Sequence, residues 1–226
     1  MKILVLNGSP KAKSDTMHIT RAFTEGMNWE NDCVIEVVDV IKKNIGPCIG
    51  CFQCALTESG NCVQHDDQNG ILDQIKKADV VIWSFPLYFF SLPSHLKAVL
   101  DRTLPLGKMK MRMEADRIVH DPSVPLPDQK HVMICGSGFP YFEKNFAAVK
   151  LLFHNVYRDP VTICISESPL FSVESLASLT QPLLEKIKAA GTEFKQTGTL
   201  RPETSQQIET PMIPSEAYVA MCNRIH

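Results

Sequence analysis

Apolar and polar positions along this chain follow two rhythms, and the switches between them mark its elements. Lys2 to Leu6 is a short aliphatic run that stops at Asn7-Gly8-Ser9-Pro10, and similar runs return at Cys33 to Val40, Asp79 to Phe85, Lys130 to Cys135 and Val161 to Ser166. Unbroken β-branched and aliphatic runs of this length read as strands buried on both faces. Between them apolar residues recur at helical spacing: Ile19, Ala22, Phe23 and Met27; Ile71, Leu72, Ile75 and Ala78; Leu96, Val99, Leu100 and Thr103; Phe146, Val149 and Phe153; Leu176, Leu179, Leu183 and Ile187. Each set forms one face of a helix, the second capped by Asp66 or Asp67. A strand followed by a helix, five times over, predicts an α/β doubly wound five-stranded parallel sheet of order 2-1-3-4-5 with helices on both faces, because right-handed crossovers dominate.

Two stretches break the alternation. Residues 44–65 form a Pro/Gly/Cys-rich inserted loop, and 105–129, with four prolines and no clear periodicity, reads as a long excursion. Residues 1–195 are expected to form the domain and 196–226 a tail. Met212, Ile213, Tyr218, Val219 and Met221 stand in that otherwise polar, proline-punctuated tail, so it is expected to dock on a neighbouring subunit.

Composition narrows the class. With 226 residues and a net charge of -2, the chain suits one well-filled domain and lacks the basic blocks of a nucleic-acid surface. The first apolar run is too short for a signal-peptide core, and Val80 to Leu92 is interrupted by Ser84 and Pro86, so no membrane partner is expected. A cytoplasmic protein is the expectation, and its eight cysteines then need an explanation other than a disulfide framework.

In a sheet of this order, ligands bind beyond the carboxyl ends of the strands, at the loops after strands one, three and four. After strand one, Gly8 frees backbone N–H groups to turn inward, Ser9, Ser14 and Thr16 add hydroxyls, Lys11 adds a charge, and the next helix adds its positive end: a phosphate cup. The triphosphate loop G-x-x-x-x-G-K-[ST] and the dinucleotide fingerprint G-x-G-x-x-G are both absent. After strand three, Pro86, Leu87, Tyr88 and Phe89 begin an aromatic, proline-stiffened stretch suited to a flat guest, and Gly136, Ser137 and Gly138 offer small donors opposite it. A phosphate in one loop and a planar ring between two others describe FMN. The alternative, aromatic residues packed beneath their own loop, stays open at this point.

Cys48, Cys51 and Cys54 stand at three-residue intervals, with Cys62 eight positions further on. That spacing suits four thiolates on an iron–sulfur centre better than the separated knuckles of structural zinc, while a packed loop of reduced thiols without metal is the alternative. Cys33, Cys135 and Cys164 fall on strands and read as buried hydrophobes. Lys97, Asp101 and Arg102 share one helix and read as structural or interface ion-pairing groups.

Taken together, L-N-G-S-P-x-x-x-S-x-T, P-x-Y-F and L-K-A-V-L-D-R-T resemble the NADPH-dependent FMN reductase family of flavodoxin-like fold, and the cysteine loop resembles its iron–sulfur flavoprotein branch. The resemblance spans roughly residues 1–190. It implies that Ser9, Lys11, Ser14, Thr16 and Met17 hold the FMN phosphate, that Pro86, Leu87, Tyr88 and Phe89 with Gly136, Ser137 and Gly138 hold the ring, and that Cys48, Cys51, Cys54 and Cys62 could hold a [4Fe–4S] cluster. It further implies a homodimer or homotetramer. The expected activity is electron transfer from NAD(P)H through FMN to a small acceptor such as a quinone or flavin, with no side chain acting as acid or base. Two alternatives are an iron–sulfur flavoprotein carrier fed by ferredoxin, and a redox-sensing binding protein with a thiol switch at the cysteine loop.

Overall fold

The structure is a computed structural model that describes residues 1–224 apart from 58, 116, 125 and 143. Among the described residues seven strands form: β1 (Lys2–Asn7), β2 (Val34–Asp39), β3 (Val80–Pro86), β4 (Gly107–Glu114), β5 (Arg117–Pro122), β6 (Lys130–Gly136) and β7 (Val161–Ile165). The helices are α1 (Asp15–Met27), α2 (Cys54–Thr57), α3 (Gln68–Ile75), α4 (Ser94–Asp101), α5 (Ala147–Val156), α6 (Ala177–Thr197), α7 (Pro202–Glu209) and α8 (Ser215–Asn223). Five strands pair in the order β2-β1-β3-β6-β7, all parallel, which is the expected order once β4 and β5 are set aside.

Alternation along each strand divides the core. Ile3 and Val5 of β1 pack with Phe23, Ile187 and Phe194 from α1 and α6, whereas Leu4 and Leu6 pack on the other face with Ile71, Leu96, Val99 and Phe153 from α3, α4 and α5. Both faces of the central strands are therefore dry, as their unbroken apolar sequences require. Among the described residues, no helix is long and apolar enough to cross a membrane.

The stretch read as aperiodic is different. β4 and β5 pair as an antiparallel hairpin, with Met111 opposite His120, Arg112 opposite Val119 and Met113 opposite Ile118. Its signal is the run Lys108-Met109-Lys110-Met111-Arg112-Met113, a period of two whose apolar members are methionines rather than the β-branched residues that usually announce a strand. The hairpin is fastened at Arg117, whose guanidinium donates to the carbonyls of His154 and Asn155, the orphan acceptors at the end of α5.

The tail also gains structure. Where periodicity fades in the sequence, α7 forms and places Ile208 in the core at 1% exposure. Lys150 reaches both carboxylate oxygens of Glu209 at 2.9 and 2.7 Å, and the Met212 N–H donates to Glu167 Oε2 at 2.9 Å. These contacts seat residues 202–223 on their own domain.

Candidate functional site

The loop between β1 and α1 is built from its own side chains. Gly8 extends the ladder by donating to the Ser84 carbonyl at 2.8 Å, and a Cβ there would come within 2.7 Å of Leu96. The Ser9 N–H donates to Asn7 Oδ1 at 3.0 Å, while Asn7 Nδ2 donates to Asp39 Oδ1 at 2.9 Å, so the ends of β1 and β2 brace the turn. Ser14 caps α1 by accepting from the Met17 N–H at 3.2 Å. Ser9, Ser14 and Thr16 are all buried.

A cavity of about 160 Å³ opens where three loops meet at the carboxyl edge of the sheet. The first loop contributes Ser9, Lys11 and Thr16, the second Pro86, Leu87 and Tyr88, and the third Gly136 and Gly138. Eight of the twelve residues nominated for FMN therefore line one space. Gly136 makes the room: a Cβ there would lie 2.8 Å from Ser168 Oγ and 3.2 Å from Thr16 Oγ1. The other four nominated residues lie elsewhere. Ser14 and Met17 face an adjoining cavity of about 540 Å³ between α1 and β2, which Ser9 and Lys11 also line. Ser137 turns into its own loop, accepting from the Phe139 N–H at 3.1 Å and from Asn145 Nδ2 at 3.3 Å. Phe89 projects fully into solvent.

The aromatic stretch is thus neither a flat wall nor core. Tyr88 and Ser91 exchange two backbone hydrogen bonds of 3.0 Å across a two-residue turn in which Phe89 and Phe90 have φ of 46° and 62°. Such a turn normally takes Asn and Gly, so two phenylalanines there store strain of about 1–3 kcal/mol each. Together with Phe139, Tyr141 and Phe142 on the loop after β6, all exposed, they put aromatic rings on two loops that border the cavity.

Three residues that sequence reasoning missed complete the lining: Asp15, Ser168 and Pro169. Lys11 pairs with Asp15 at 3.0 Å, and Asp15 also accepts a hydrogen bond from Ser172 Oγ, so the free loop carries a neutralised lysine. The signal for Ser168-Pro169 was a second Ser-Pro after a strand, echoing Ser9-Pro10. His95 places Nε2 2.9 Å from the Gly8 carbonyl; that oxygen can only accept, so Nε2 carries the proton.

The four nominated cysteines occupy the loop between β2 and α3. Cys48 and Cys51 are exposed, Cys62 is half-buried and Cys54 is buried. Burial first, and then the fields of Cys62, Cys51 and Cys48, push the Cys54 thiol above its ordinary range. Among the described residues, however, no three His, Cys, Asp or Glu side chains are drawn up closely enough to hold a metal ion. In type and number the donors suit iron–sulfur. Of the other cysteines, Cys135 and Cys164 are buried partners across β6 and β7, and burial raises both thiols.

A parallel sheet in this order, with its cavity over the first, third and fourth parallel strands, defines a flavodoxin-like α/β protein. Solved structures agree on that fold. An NAD(P)H:quinone oxidoreductase from Methanothermobacter marburgensis superimposes with a TM-score of 0.62 at 17% identity over 86% of this chain and 97% of its own. An FMN-dependent NADH-azoreductase from Bacillus anthracis, solved with FMN, gives 0.60 at 18% identity over 86% and 99%. The chain belongs to the NADPH-dependent FMN reductase family, whose model matches residues 1–118. Curated relatives include iron–sulfur flavoproteins of Methanocaldococcus jannaschii, 35% identical over 47% of this chain and 53% of that protein, and of Methanosarcina thermophila, 28% identical over 50% and 58%. The matched stretch spans about half the length of these relatives.

Proposed function

We propose that this protein is an FMN-dependent oxidoreductase that takes electrons from NAD(P)H and delivers them to a small planar acceptor such as a quinone or a flavin. The carrying observation is the convergence of three loops on one cavity at the carboxyl edge, with Gly136 leaving open the space a side chain would fill. FMN bound there would supply the electron-accepting ring. Ser9 and Thr16, near the positive end of α1, would hold its phosphate, and Lys11 would exchange Asp15 for the phosphate as its partner. Backbone groups of Leu87, Gly136 and Gly138 would border the ring, and the exposed aromatics on the two flanking loops would receive a flat acceptor.

The test is direct. Titration of the purified protein with FMN should quench flavin fluorescence at one flavin per chain, and NADPH or NADH should then bleach the bound flavin under anaerobic conditions. Failure to retain FMN and absence of quenching would overturn the flavin reading. Quenching without bleaching by either nicotinamide would overturn the reductase reading alone.

The cysteine loop favours a second reading, an iron–sulfur flavoprotein carrier in which a cluster at Cys48, Cys51, Cys54 and Cys62 takes electrons from a ferredoxin-type donor. The number and spacing of the four cysteines, all on one loop, support it. Anaerobic reconstitution with iron and sulfide followed by metal analysis decides it, and a wild-type protein that holds no iron would remove it.

A further inference from the structure

Arg102 is the most deeply buried cation of the described chain, at 1% exposure, and the sequence offered it only as one of three structural or interface ion-pairing groups on its helix. It stands at the C-cap of α4. Its guanidinium grips Asp66 as a two-toothed fork, Nη1 to Oδ2 at 2.5 Å and Nη2 to Oδ1 at 2.9 Å. Nη1 also donates to the Gly46 carbonyl at 3.0 Å, and Nη2 donates to Cys62 Sγ at 3.3 Å. Asp66 in turn accepts from the Gly46 N–H at 3.0 Å and the Gln68 N–H at 3.1 Å. One cation therefore ties together both ends of the cysteine loop.

Among the described residues, Cys62 alone of the four cysteines is held in this way from both backbone and sulfur. Its N–H donates to Asn69 Oδ1 at 2.8 Å and its carbonyl accepts from Asn69 Nδ2 at 2.9 Å, while Arg102 holds the sulfur. Cys48 and Cys51 remain exposed. At the other end of α4, the first-turn His95 bonds the phosphate loop through the Gly8 carbonyl. A helix of eight residues, about 12 Å long, thus connects the candidate flavin loops to the cysteine loop.

We propose that Arg102 is the positioning residue of the four-cysteine site: it presets Cys62 as the fixed thiol onto which Cys48, Cys51 and Cys54 close, and its N–H···S hydrogen bond raises the reduction potential of the cluster held there. The second half rests on the iron–sulfur reading above, and the first half does not. Arginine suits the place because its planar fork can serve a carboxylate, a carbonyl and a sulfur at once, which a lysine ammonium on a flexible stem does not reproduce. A cationic donor to a cluster sulfur favours the reduced, more negative state.

The experiment uses the full chain, wild type beside Arg102→Gln, with Arg102→Lys as the second variant should loss of the buried charge prevent folding. Hydrogen–deuterium exchange of residues 44–66 is followed in the metal-free proteins, then iron, sulfide and midpoint potential after anaerobic reconstitution. The proposal expects exchange of 44–66 to quicken by about tenfold or more in a folded variant, and the cluster potential to fall, less so in Arg102→Lys. Unchanged exchange overturns the positioning role, and an unchanged potential overturns the tuning role. If wild-type protein holds no iron, the cluster reading and the tuning role fall together, while faster exchange in the variant still upholds Arg102 as the anchor of the loop.

Discussion

At the scale of single residues, the folded chain keeps polar groups in places where only a neutral or paired form is tolerated. His131 stacks on Tyr157 with ring centroids 3.7 Å apart, and its Nδ1 is buried with no hydrogen-bond partner among the described residues. Burial drives its pKa down to about 3 from the ordinary 6.5. The unfolded chain therefore binds a proton that the folded chain refuses between those values, so this contribution is complete above pH 6.5 and is lost as pH falls. The slope approaches about 1.4 kcal/mol per pH unit, or about 2 kcal/mol between pH 7 and pH 5. Urea unfolding at the two pH values should show that loss in wild type and a flatter dependence in His131→Phe; equal slopes would refute the assignment. At this scale the sequence was informative about Ser9, Thr16 and Gly136, whose neighbours along the chain already describe a tight loop. It was silent about Asp15 and about the burial of Arg102, because nothing local distinguishes a charge that turns inward from one that faces water.

At the scale of elements, α1 and α6 cross with their backbones almost in contact. A Cβ on Gly26 would lie 1.8 Å from the Lys188 carbonyl oxygen, and one on Gly191 would lie 2.0 Å from that of Phe23. Thr192 Oγ1 donates across the crossing to the Gly26 carbonyl at 3.1 Å. Alanine is the better helix former by about 1 kcal/mol, yet overpacking against rigid backbone costs about 3 kcal/mol, so packing wins. Gly191→Ala should lower the midpoint of thermal unfolding by several degrees, whereas Gly70→Ala in α3, where nothing lies within 4 Å of the new Cβ, should raise it slightly. A rise in both would mean that helix propensity, not the crossing, sets the outcome. The parallel strands were legible because burial on both faces leaves an unbroken apolar run. The hairpin β4–β5 was not, because its alternating methionines lie on a face still exposed in the chain, so no core contact demanded the usual strand residues.

At the scale of the whole molecule, the last helices act on the candidate site from a distance in sequence. Tyr218 is buried, and its hydroxyl donates to the Gly138 carbonyl at 2.9 Å, in the loop that forms one side of the cavity. A neutral hydrogen bond of this kind contributes about 1 kcal/mol. Tyr218→Phe should therefore lower the unfolding midpoint by about 2–4 °C and weaken FMN binding by at most about fivefold, measured by fluorescence quenching. Unchanged affinity would confine α8 to a purely structural role. The apolar residues of the tail told, in the sequence, that this end must pack on something; Ile208 in the core and Tyr218 on the Gly138 loop identify its own domain as one surface it covers.

The amino-acid sequence by itself determined the five parallel strands, their order and the loops that face one another at the carboxyl edge, because buried parallel strands and helical faces are written as short-range periodicities, and right-handed crossovers leave few ways to join them. Only the tertiary structure decided that Arg102 reaches Cys62 forty positions away, that Ser168 and Pro169 close the cavity begun by Ser9, and that two glycines let α1 and α6 touch. Those pairings join residues with no shared local pattern, and they exist only once the sheet has brought distant loops to a common edge.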